Sequence, residues 1–515
     1  MLEEIFSLSP KALGVLLVSS YVVYRFVQRV QMDLRIRKLG GKAVSSGAWL
    51  PWDIDFIYKT IAAGKEHKVY EQWLGWFEAA NRWTIEGKPG GQRVIFTADP
   101  ENIKAILATQ FGDYGKGEPF HADWSEFLGD SIFTTDADQW HNSRQLIRPM
   151  FIKNRVSDLE IFETHTQALL HEIARPGTGR EGEVDVSDLF FRYTLDAATH
   201  FLLGKSVDSL DTPEQDFADA FAEVQHIQNV ITRMGPLNWM LPRGRFRKGL
   251  KVVNDFVNQF IEQALALSPK DLESKTKTVE GFTFLHSLAS FTSDRKVLRD
   301  QLVAILLAGR DTTACGLSWI FYEIARNPEI VKKLCAEIEE TVGLNRLPTY
   351  EDLKGMKYIN NVIKEALRIY PVVPFNIRLA LKDCTLPHGG GKDGLSPMGI
   401  LKNDNIGYST LVMQRREDLY PPGSEPLRFI PERWETWQPE HWQYIPFNGG
   451  PRICIGQQFA LTEMAYTLVR IFQQYDGVQS FMPAIDGGNP CMRADIVLQP
   501  GQGVKVKLRE RKAKA

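Results

Sequence analysis

Hydrophobic residues are most concentrated near the N-terminus, where the run from Ile5 to Tyr24 is mostly apolar and Lys11 is its only charged residue. About twenty such residues match the length of a helix that crosses a bilayer. The pattern therefore predicts a single transmembrane helix, with a membrane anchor over residues 1–27. Gly40 and Gly41 then interrupt the pattern, which predicts a hinge and docking segment over residues 28–60.

Beyond this segment, hydrophobic positions recur mainly with helical spacing, and only short stretches are typical of strands. Arg93 to Thr97 is rich in β-branched and aromatic residues. Phe375 to Leu386 is a second strand-rich region, followed by a predicted turn at His388–Gly394. The longest predicted helix runs from Arg295 to Asn327 and is stopped by Pro328.

No internal repeat and no long low-complexity linker divides the rest of the sequence, so residues 61–515 are predicted to form one catalytic domain. The expected fold class is mainly α with a small β portion. The sequence contains neither a glycine-rich dinucleotide loop after a strand nor a phosphate-binding P-loop. A nucleotide-binding α/β sheet therefore has no support.

Charge and cysteine content narrow the range of partners and compartments. The formal net charge is −2 and acids are mixed with bases along the chain, so the positive field that nucleic-acid binding requires is missing. We expect no nucleic-acid partner. The five cysteines are widely spaced and odd in number, which predicts a reducing compartment and no disulfide framework.

The charges that flank the apolar leader predict its orientation. Glu3 and Glu4 precede the leader, whereas Arg25, Arg29 and Arg35 follow it. The positive-inside rule then places the body in the cytosol and the extreme N-terminus across the membrane. A cleaved signal peptide would carry its positive charge in front. We therefore predict an uncleaved, single-pass anchor in the endoplasmic reticulum membrane, with a cytosolic catalytic domain.

The most informative short segment is Phe447-Asn-Gly-Gly-Pro-Arg-Ile-Cys454-Ile-Gly456, which leads directly into an amphipathic helix. A cysteine just before a helix has backbone N–H groups near its sulfur, and the helix dipole favours the thiolate. Glycines in such a loop let the backbone pass close to a flat ligand. A lone cysteine is more often a buried structural thiol. This segment by itself leaves both interpretations open.

The pattern F-x-x-G-x-R-x-C-x-G in this segment resembles that of the cytochrome P450 family, and the resemblance extends from the leader to about residue 505. It implies the cytochrome P450 fold and haem b as the cofactor, with Cys454 as the metal ligand. Phe447 is expected beside the sulfur, Arg452 at a haem propionate and Gly456 against the macrocycle.

Within the long helix, Ala308-Gly-Arg-Asp-Thr-Thr313 resembles the oxygen-activation segment of the family. The Thr312 hydroxyl is expected to bond a carbonyl of its own helix and to open a local distortion. Without this context, Thr312 would be an ordinary helical threonine and Asp311 a solvated charge. Together with Cys454, the resemblance implies that Asp311 and Thr312 are the catalytic pair that delivers protons.

Glu365 and Arg368 lie three residues apart on one predicted helix face, a pairing that ordinarily contributes only about 0.2–0.5 kcal/mol. The resemblance implies that they form a buried, structural ion network with Arg433 beneath the haem.

Three further residues correspond to haem propionate contacts of the family. Trp140 and Arg144 are four residues apart on one predicted helix, and Arg378 lies in the predicted strand after Pro374. An indole N–H and two guanidinium groups are suitable donors to a carboxylate.

The stretches Val362–Arg378 and Leu386–Gly394 further resemble the fungal branch of the family that hydroxylates alkanes and fatty acids at the ω position. The chain departs from that branch at Asn142, where a histidine is usual, and at Cys384, where a threonine is usual. Several apolar positions are expected to line the distal side of the haem, namely Ile305, Leu306, Val372, Val373, Phe375 and Phe481. An apolar lining suits an aliphatic chain but is common to monooxygenases of this fold.

The implied activity is a haem-thiolate monooxygenase that hydroxylates an aliphatic C–H bond with dioxygen and electrons from NADPH–cytochrome P450 reductase. The branch implies terminal hydroxylation of a fatty acid, an alkane or another alkyl chain. One alternative is a tailoring monooxygenase of a fungal secondary metabolite. Two further alternatives are a haem-thiolate isomerase and a non-catalytic haem protein. The presence of Asp311 and Thr312 argues against the isomerase.

Overall fold

Helices account for most of the fold of the computed structural model, which describes residues 10–47, 53–151, 159–175, 182–212, 215–268, 270–272, 274 and 283–512. The helices described are α1 (Pro10–Leu39), α2 (Ile54–Lys65), α3 (Val69–Ala80), α4 (Pro100–Lys104), α5 (Gly117–Leu128), α6 (Ala137–Ile147), α7 (Glu160–Ala174), α8 (Val186–Leu203), α9 (Asp216–Met234), α10 (Gly244–Leu265), α11 (Phe284–Phe291), α12 (Arg295–Ile324), α13 (Pro328–Thr341), α14 (Tyr350–Gly355), α15 (Lys357–Ile369), α16 (Thr410–Met413), α17 (Arg433–Thr436), α18 (Gln457–Gln474) and α19 (Pro483–Asp486).

The long central helix α12 confirms the longest predicted helix, although it ends at Ile324, three residues before the expected end. It begins where the Asp294 carboxylate accepts the N–H of Lys296 at 2.8 Å, so the first turn is capped. Every residue from Asp300 to Ala325 is buried except Ala308, Gly309, Arg310 and Thr312, which are half-buried. A helix that is buried on nearly all sides crosses the interior of the domain.

The strands form one larger sheet and several small ones. They are β1 (Val44–Ser45), β2 (Thr84–Gly87), β3 (Val94–Thr97), β4 (Tyr114–Gly115), β5 (Val184–Asp185), β6 (Phe375–Ala380), β7 (Cys384–Gly390), β8 (Ser396–Ile400), β9 (Asn405–Ser409), β10 (Tyr475–Ser480), β11 (Met492–Ala494), β12 (Leu498–Pro500) and β13 (Lys505–Glu510). The six-stranded sheet has the order β1-β2-β3-β9-β6-β4, β10-β13-β5 is a second sheet, and β7-β8 and β11-β12 are two-stranded. Both predicted strand regions, and with them the mainly α fold class with a small β portion, are confirmed.

The predicted turn at His388–Gly394 is wrong in its first half, because β7 continues to Gly390. The two strands of this hairpin approach very closely. A Cβ atom added at Gly390 would lie 2.3 Å from the Pro397 carbonyl oxygen, a distance that no side chain tolerates. Glycine at this position therefore permits strand pairing, and the chain reverses only after it.

The N-terminal helix α1 is longer than the apolar run that predicted it. It continues through residues 25–39, and its last turns dock on the body, where Ile36 is fully buried. Arg35 forms an ion pair with Asp383 at 2.6 Å. Within the described residues, Leu13–Leu39 is the one helix that is long and apolar enough to cross a membrane. Residues 1–9, where the predicted run begins, and residues 48–52 of the predicted docking segment lie outside the described residues.

The core consists of three buried hydrophobic clusters, two of which contain residues of the central helix α12. One joins the second half of α12 to α13, α15 and α18. Another joins its first half to α9, α10 and α11, and the third lies beneath the six-stranded sheet. The half-buried residues of α12 therefore lie between the first two clusters, where the helix is least covered by its neighbours.

Candidate haem-thiolate site

The loop that carries Cys454 is closed by its own backbone. The Cys454 N–H donates to the Phe447 carbonyl oxygen at 3.0 Å. Within this ring, Asn448 and Gly450 have φ angles of 65° and 66°, in the left-handed region. A Cβ atom at Gly450 would lie 1.8 Å from the Leu107 carbonyl oxygen, so only glycine fits there. The sequence thus fixes the position of the cysteine immediately before α18.

Cys454 differs from the other four cysteines of the chain because its side chain is exposed, whereas three are buried and Cys491 is intermediate. The pKa of the Cys454 thiol is raised, mainly because surrounding protein removes water from the sulfur; the Gly456 N–H and the charge of Arg144 lower it. An accessible sulfur beside a helix N-terminus is placed to act as a metal ligand. Phe447 packs against the neighbouring buried cluster and supports this loop.

Arg452, two residues before the cysteine, is anchored in a positively charged region. Its Nη2 donates to Asp136 Oδ1 at 2.6 Å and to the Thr135 carbonyl oxygen at 2.8 Å. The pKa of Arg452 is lowered to about 10, mainly by burial and also by the charge of Arg378, while Asp136 opposes both effects. Its buried Nε has no hydrogen-bond partner among the described residues.

The two predicted residues of α6 lie beside this arginine. The Arg452 guanidinium lies 4.7 Å from the centre of the Trp140 ring, and the Arg144 guanidinium lies 5.9 Å from it. Arg144 Nη2 also donates to the Ile453 carbonyl oxygen at 2.9 Å, which ties α6 to the cysteine loop. Asn142, the departure on α6, is exposed.

The Arg378 side chain is buried on β6 and donates through Nη1 to Asn376 Oδ1 at 2.8 Å. The same Asn376 oxygen accepts from Lys116 Nζ at 3.3 Å. Burial and the charges of Arg378 and Arg452 hold the pKa of Lys116 well below its ordinary value. Lys116 and Asp136 were not identified from the sequence, because no motif contains them and only the fold brings them beside the cysteine loop.

The propionate cluster, which we define as Lys116, Arg144, Arg378 and Arg452 with Asp136, fits a ligand that carries two carboxylates. Asp136 is the carboxylate beside Arg452 and Lys116, while Arg378 and Arg144 add further positive charge. The buried Arg452 Nε lacks an acceptor among the described residues. Buried positive charge of this kind requires negative partners. Haem propionates would satisfy that requirement, and Cys454 would be the residue that binds the iron.

The Ala308–Thr313 segment of α12, which is predicted to activate oxygen, keeps its helical hydrogen bonds. We call it the catalytic segment. The Thr312 hydroxyl donates to the Ala308 carbonyl oxygen at 2.7 Å, as expected. The predicted local distortion is absent, because α12 is a continuous α-helix through these residues. The i−4 hydroxyl bond is accommodated without breaking the helical ladder.

Asp311 is buried, so the reading of this residue as a solvated charge is wrong. Its carboxylate accepts a hydrogen bond from Gln225 Nε2 of α9 and lies 3.6 Å from Arg310 Nε. Burial raises the pKa of Asp311, while the charge of Arg310 and the Gln225 hydrogen bond lower it. The sequence could not show this burial, because Gln225 comes from a distant helix.

The three members of the predicted ion network meet as expected. Arg368 donates from Nε and Nη2 to the two oxygens of Glu365 at 2.8 Å and 2.9 Å, in a bidentate pair that is fully buried. Arg433 Nε donates to Glu365 Oε1 at 3.2 Å. Trp434 Nε1 adds a bond to Oε2 at 3.0 Å, and Arg368 Nη1 reaches the Tyr420 hydroxyl at 3.0 Å.

The residues predicted to line the substrate pocket are not equally buried. Ile305, Leu306 and Val372 are buried in the clusters around α12, whereas Val373 is 38% exposed. Phe375 is half-buried, and its ring packs at a tilt against Trp73 with the ring centres 4.7 Å apart. Phe481 follows β10, where its N–H donates to the Lys505 carbonyl oxygen at 2.9 Å.

Glu463 of α18 is a buried acid that sequence reasoning missed. The Glu463 carboxyl is hydrogen-bonded by the side chain of Thr313, the residue after Thr312. Glu463 Oε2 has no hydrogen-bond partner among the described residues. Burial raises the pKa of Glu463 from 4.5 to about 8. The side chain is therefore protonated at neutral pH in the folded protein and ionised in the unfolded one.

We expect this carboxyl to make the protein less stable as pH rises from 4.5 to 8, since the unfolded state loses the proton first. In the neutral Glu463→Gln variant this loss is absent. The variant's unfolding free energy, relative to wild type, should therefore grow by about 1.4 kcal/mol per pH unit in that window. Denaturant unfolding across the pH range measures it. Glu329→Gln, at a residue that is 81% exposed, is the control. Parallel pH curves for Glu463→Gln and wild type would contradict the assignment.

A mainly helical domain with an accessible cysteine before a helix, a cation cluster beside it and a buried Glu–Arg–Arg network defines the haem-thiolate class of protein. The Cytochrome P450 family model matches residues 83–498. The chain belongs to the cytochrome P450 family, and the predicted fold and family are confirmed.

Similar proteins agree with this assignment. The chain is 47% identical to "Cytochrome P450 monooxygenase pvhE" of Talaromyces variabilis, with 98% of this chain and 96% of that protein covered. It is 44% identical to "Cytochrome P450 52A1" of Candida tropicalis, over 77% of this chain and 75% of that protein. "Cytochrome P450 monooxygenase g430" of Fusarium sp is 40% identical over 90% of this chain and 85% of that protein. The chain is therefore an enzyme of the cytochrome P450 monooxygenase class with a haem-thiolate cofactor.

Proposed function

We propose that this enzyme hydroxylates the terminal or near-terminal carbon of a long aliphatic chain in a fatty acid, an alkane or an alkyl-bearing metabolite. The observation that carries this proposal is the resemblance of Val362–Arg378 and Leu386–Gly394 to the fungal alkane and fatty-acid branch, together with the identity to cytochrome P450 52A1. The apolar character of Ile305, Leu306 and Val372 is compatible with it. A tailoring role on a natural product with a fatty tail is the second candidate, because the monooxygenase pvhE is at least as similar.

Haem b is the proposed cofactor, held by Cys454 and by the propionate cluster with Trp140. Phe447 and Gly456 lie at the two ends of the cysteine loop. When bound, the haem supplies dioxygen activation, which electron donation from the thiolate promotes. The proposed electron donor is NADPH–cytochrome P450 reductase. The protein's own contribution is to position the sulfur, to orient the substrate and to deliver protons.

Asp311 and Thr312 are the proposed proton-delivery pair. The Thr312 hydroxyl is fixed by the Ala308 carbonyl, and Asp311 is fixed by Gln225 and Arg310. A carboxyl with a raised pKa is a suitable proton donor near neutral pH. Thr312 is half-buried, like Ala308, Gly309 and Arg310, in a stretch of α12 whose other residues are buried. The proposed role requires such incomplete cover by neighbouring side chains.

Replacement of Thr312 by alanine is expected to uncouple NADPH consumption from product. Loss of the positioned hydroxyl should cut product per NADPH by about 10²-fold, the lower range for general acid–base groups, with peroxide released instead. Peroxide and product assays measure the ratio. Thr164→Ala removes a comparable hydroxyl bond, to the Glu160 carbonyl on the exposed face of α7, and should leave coupling unchanged. Unchanged coupling in Thr312→Ala would favour an isomerase or a different proton route.

The membrane and compartment assignments rest on the N-terminal helix and on its flanking charges. Side chains along α1 are exposed and apolar, including Val15 at 67% and Phe26 at 66%. We propose a single-pass anchor in the endoplasmic reticulum membrane with the catalytic domain in the cytosol. A second exposed apolar surface lies at Leu237, Trp239 and Met240, which favours additional contact with the bilayer.

Removal of residues 1–27 is expected to release much, but not all, of the protein from membranes. Trp239 is 75% exposed, and Trp239→Ser in the truncated protein should release most of the remainder. The membrane-bound fraction after ultracentrifugation measures both effects. Secretion of the full-length protein into the medium would contradict the topology.

A spectral binding screen tests the proposed substrate class. Purified full-length enzyme is titrated with fatty acids of graded length, alkanes, and polyketide or terpenoid lipids, and the haem spin state is followed by absorbance. We expect a low-spin to high-spin shift with long-chain acids. A shift with rigid polycyclic ligands alone would reject the proposal in favour of the tailoring role. Absence of NADPH oxidation with any ligand in the presence of reductase would favour a non-catalytic haem protein.

A further inference from the structure

A group of polar side chains joins the C-terminal end of α9 to the β11–β12 hairpin. Asn229 Nδ2 donates to Asp495 Oδ1 at 2.7 Å. Arg233 Nη2 lies 3.4 Å from the same oxygen and also donates to the Ala494 carbonyl oxygen. Arg493 Nε donates to the other oxygen of Asp495 at 2.6 Å. We call Arg233, Arg493 and Asp495 the mouth cluster.

The mouth cluster has an excess of positive charge that remains accessible. Two guanidinium groups share the single carboxylate of Asp495, and their side chains are 42% and 39% exposed. Burial lowers the pKa of Arg233, and the like charge of Arg493 lowers it further, against the effect of Asp495. Within the described part of the chain, the terminal nitrogens of Arg493 have no acceptor. The cluster can therefore accept one more anionic oxygen pair.

Helix α9 connects the mouth cluster to the catalytic segment. One face of α9 carries Gln225, Asn229 and Arg233, which are spaced four residues apart. Gln225 donates to Asp311, and Asn229 donates to Asp495. Eight residues of helix span about 12 Å. One end of this face is therefore at the oxygen-activation segment, and the other is at the mouth cluster.

The hairpin supplies apolar surface between these two ends. Ile496, next to Asp495, packs against both buried clusters that flank α12. The Leu498 N–H donates to the Val372 carbonyl oxygen at 2.8 Å, so β12 lies against the segment predicted to line the pocket. An apolar chain between the mouth cluster and α12 would contact side chains of this kind along its length.

Arg233 also lies next to α2. A Cβ atom at Gly64 of α2 would lie 3.0 Å from Arg233 Nη1, so the guanidinium is next to α2. On that helix, Tyr58 and Ile61 are 73% and 48% exposed. An anionic group held at Arg233 would therefore remain close to solvent while an attached chain extends inward.

We propose that Arg233 and Arg493 bind the carboxylate of a long-chain acid, with the acyl chain directed along α9 toward the catalytic segment. This inference rests on the proposed function and specifies its substrate as the acid. The guanidinium fork of Arg233 suits a carboxylate, whereas an alcohol or an alkane has no group that uses it. An acid must reach about 12 Å from the cluster to the catalytic segment, so short acids should bind weakly.

The test compares hexadecanoic acid with hexadecanol in spectral titrations of the full-length, haem-loaded enzyme in detergent. Wild type should bind the acid about tenfold or more tightly than the alcohol, as expected for a charge-assisted hydrogen bond. Arg233→Ala and Arg493→Ala should each abolish most of this preference while alcohol binding stays unchanged. Arg245→Ala removes another surface arginine, whose side chain is 84% exposed and paired with Glu223, and should preserve the preference.

Asp495→Asn provides a second, opposite test that does not depend on the stability of the alanine variants. Asparagine has nearly the same shape as aspartate but lacks the negative charge that competes with a substrate carboxylate for Arg233 and Arg493. The affinity for the acid should therefore rise several-fold, with no change for the alcohol. Equal effects on acid and alcohol, or none, would overturn the inference. Arginine variants that change only binding to anionic phospholipid vesicles would assign the cluster to lipid headgroups instead. Failure of wild type to bind either ligand would instead count against the proposed function.

Discussion

The Cys454→Ser enzyme is expected to lose the red-shifted Soret band that thiolate-ligated haem gives after reduction and addition of carbon monoxide. A serine hydroxyl does not replace the thiolate as an electron donor to the iron. Mutation of a residue that only hydrogen-bonds a metal ligand typically lowers activity by about 10- to 100-fold. Loss of the ligand itself should therefore lower monooxygenase turnover by more than about a hundredfold. The absorbance spectrum and product formation with reductase measure the two effects.

Cys491→Ser is the matched control, because Cys491 is partly accessible and lies outside the cysteine loop. It should retain both the band and turnover. Retention of the band in Cys454→Ser, or its loss in Cys491→Ser, would reject Cys454 as the axial ligand.

The Arg368→Ala enzyme is expected to lose most of its folded, haem-loaded population. Arg368 and Glu365 are fully buried, and removal of the arginine leaves the Glu365 carboxylate with Arg433 as its remaining cation in the network. Breaking a buried ion pair costs about 3–5 kcal/mol. Arg368→Lys should also destabilise the fold, since an ammonium does not reproduce the bidentate fork. Denaturant unfolding and the haem content of purified protein measure the loss.

Arg428→Ala provides the comparison, since Arg428 pairs with Glu425 at 3.0 Å on the surface and its side chain is 68% exposed. We expect a change below about 1 kcal/mol for this variant. If Arg368→Ala were no less stable than Arg428→Ala, the ion network would have no structural role.

The elements that could be predicted from the sequence are those whose pattern is local. Helix α12 has a capping acid before it and a proline after it, and the segment from Phe447 to Gly456 places glycine where only glycine fits. The spacing of Glu365 and Arg368 placed both on one helix face, and the family resemblance implied their burial in an ion network. In each case the deciding residues are neighbours in the chain or belong to one motif.

The features that were missed depend on residues far apart in the chain. Lys116 and Asp136 join the propionate cluster only through the packing of α5, α6 and the cysteine loop. The burial of Asp311 requires Gln225 from α9, and that of Glu463 requires the contact of α18 with α12. Patterns of neighbouring residues in the sequence do not predict such contacts.

Helix α1 shows a second limit of pattern reading. The apolar run ends at Tyr24, but arginine, lysine, glutamine and methionine are good helix formers, and the helix continues to Leu39. Its last turns are stabilised by tertiary contacts, through the buried Ile36 and the Arg35–Asp383 ion pair. The boundary at residue 27 between anchor and docking segment stays a prediction that the truncation experiment addresses.

The most direct test of the central claim is turnover of a long-chain fatty acid by the full-length enzyme with NADPH–cytochrome P450 reductase under isotopically labelled dioxygen. Mass spectrometry of the product locates the hydroxyl group and the origin of its oxygen. We predict a single labelled oxygen atom on the terminal or penultimate carbon. A hydroxyl confined to mid-chain carbons, or a product without labelled oxygen, would contradict the account.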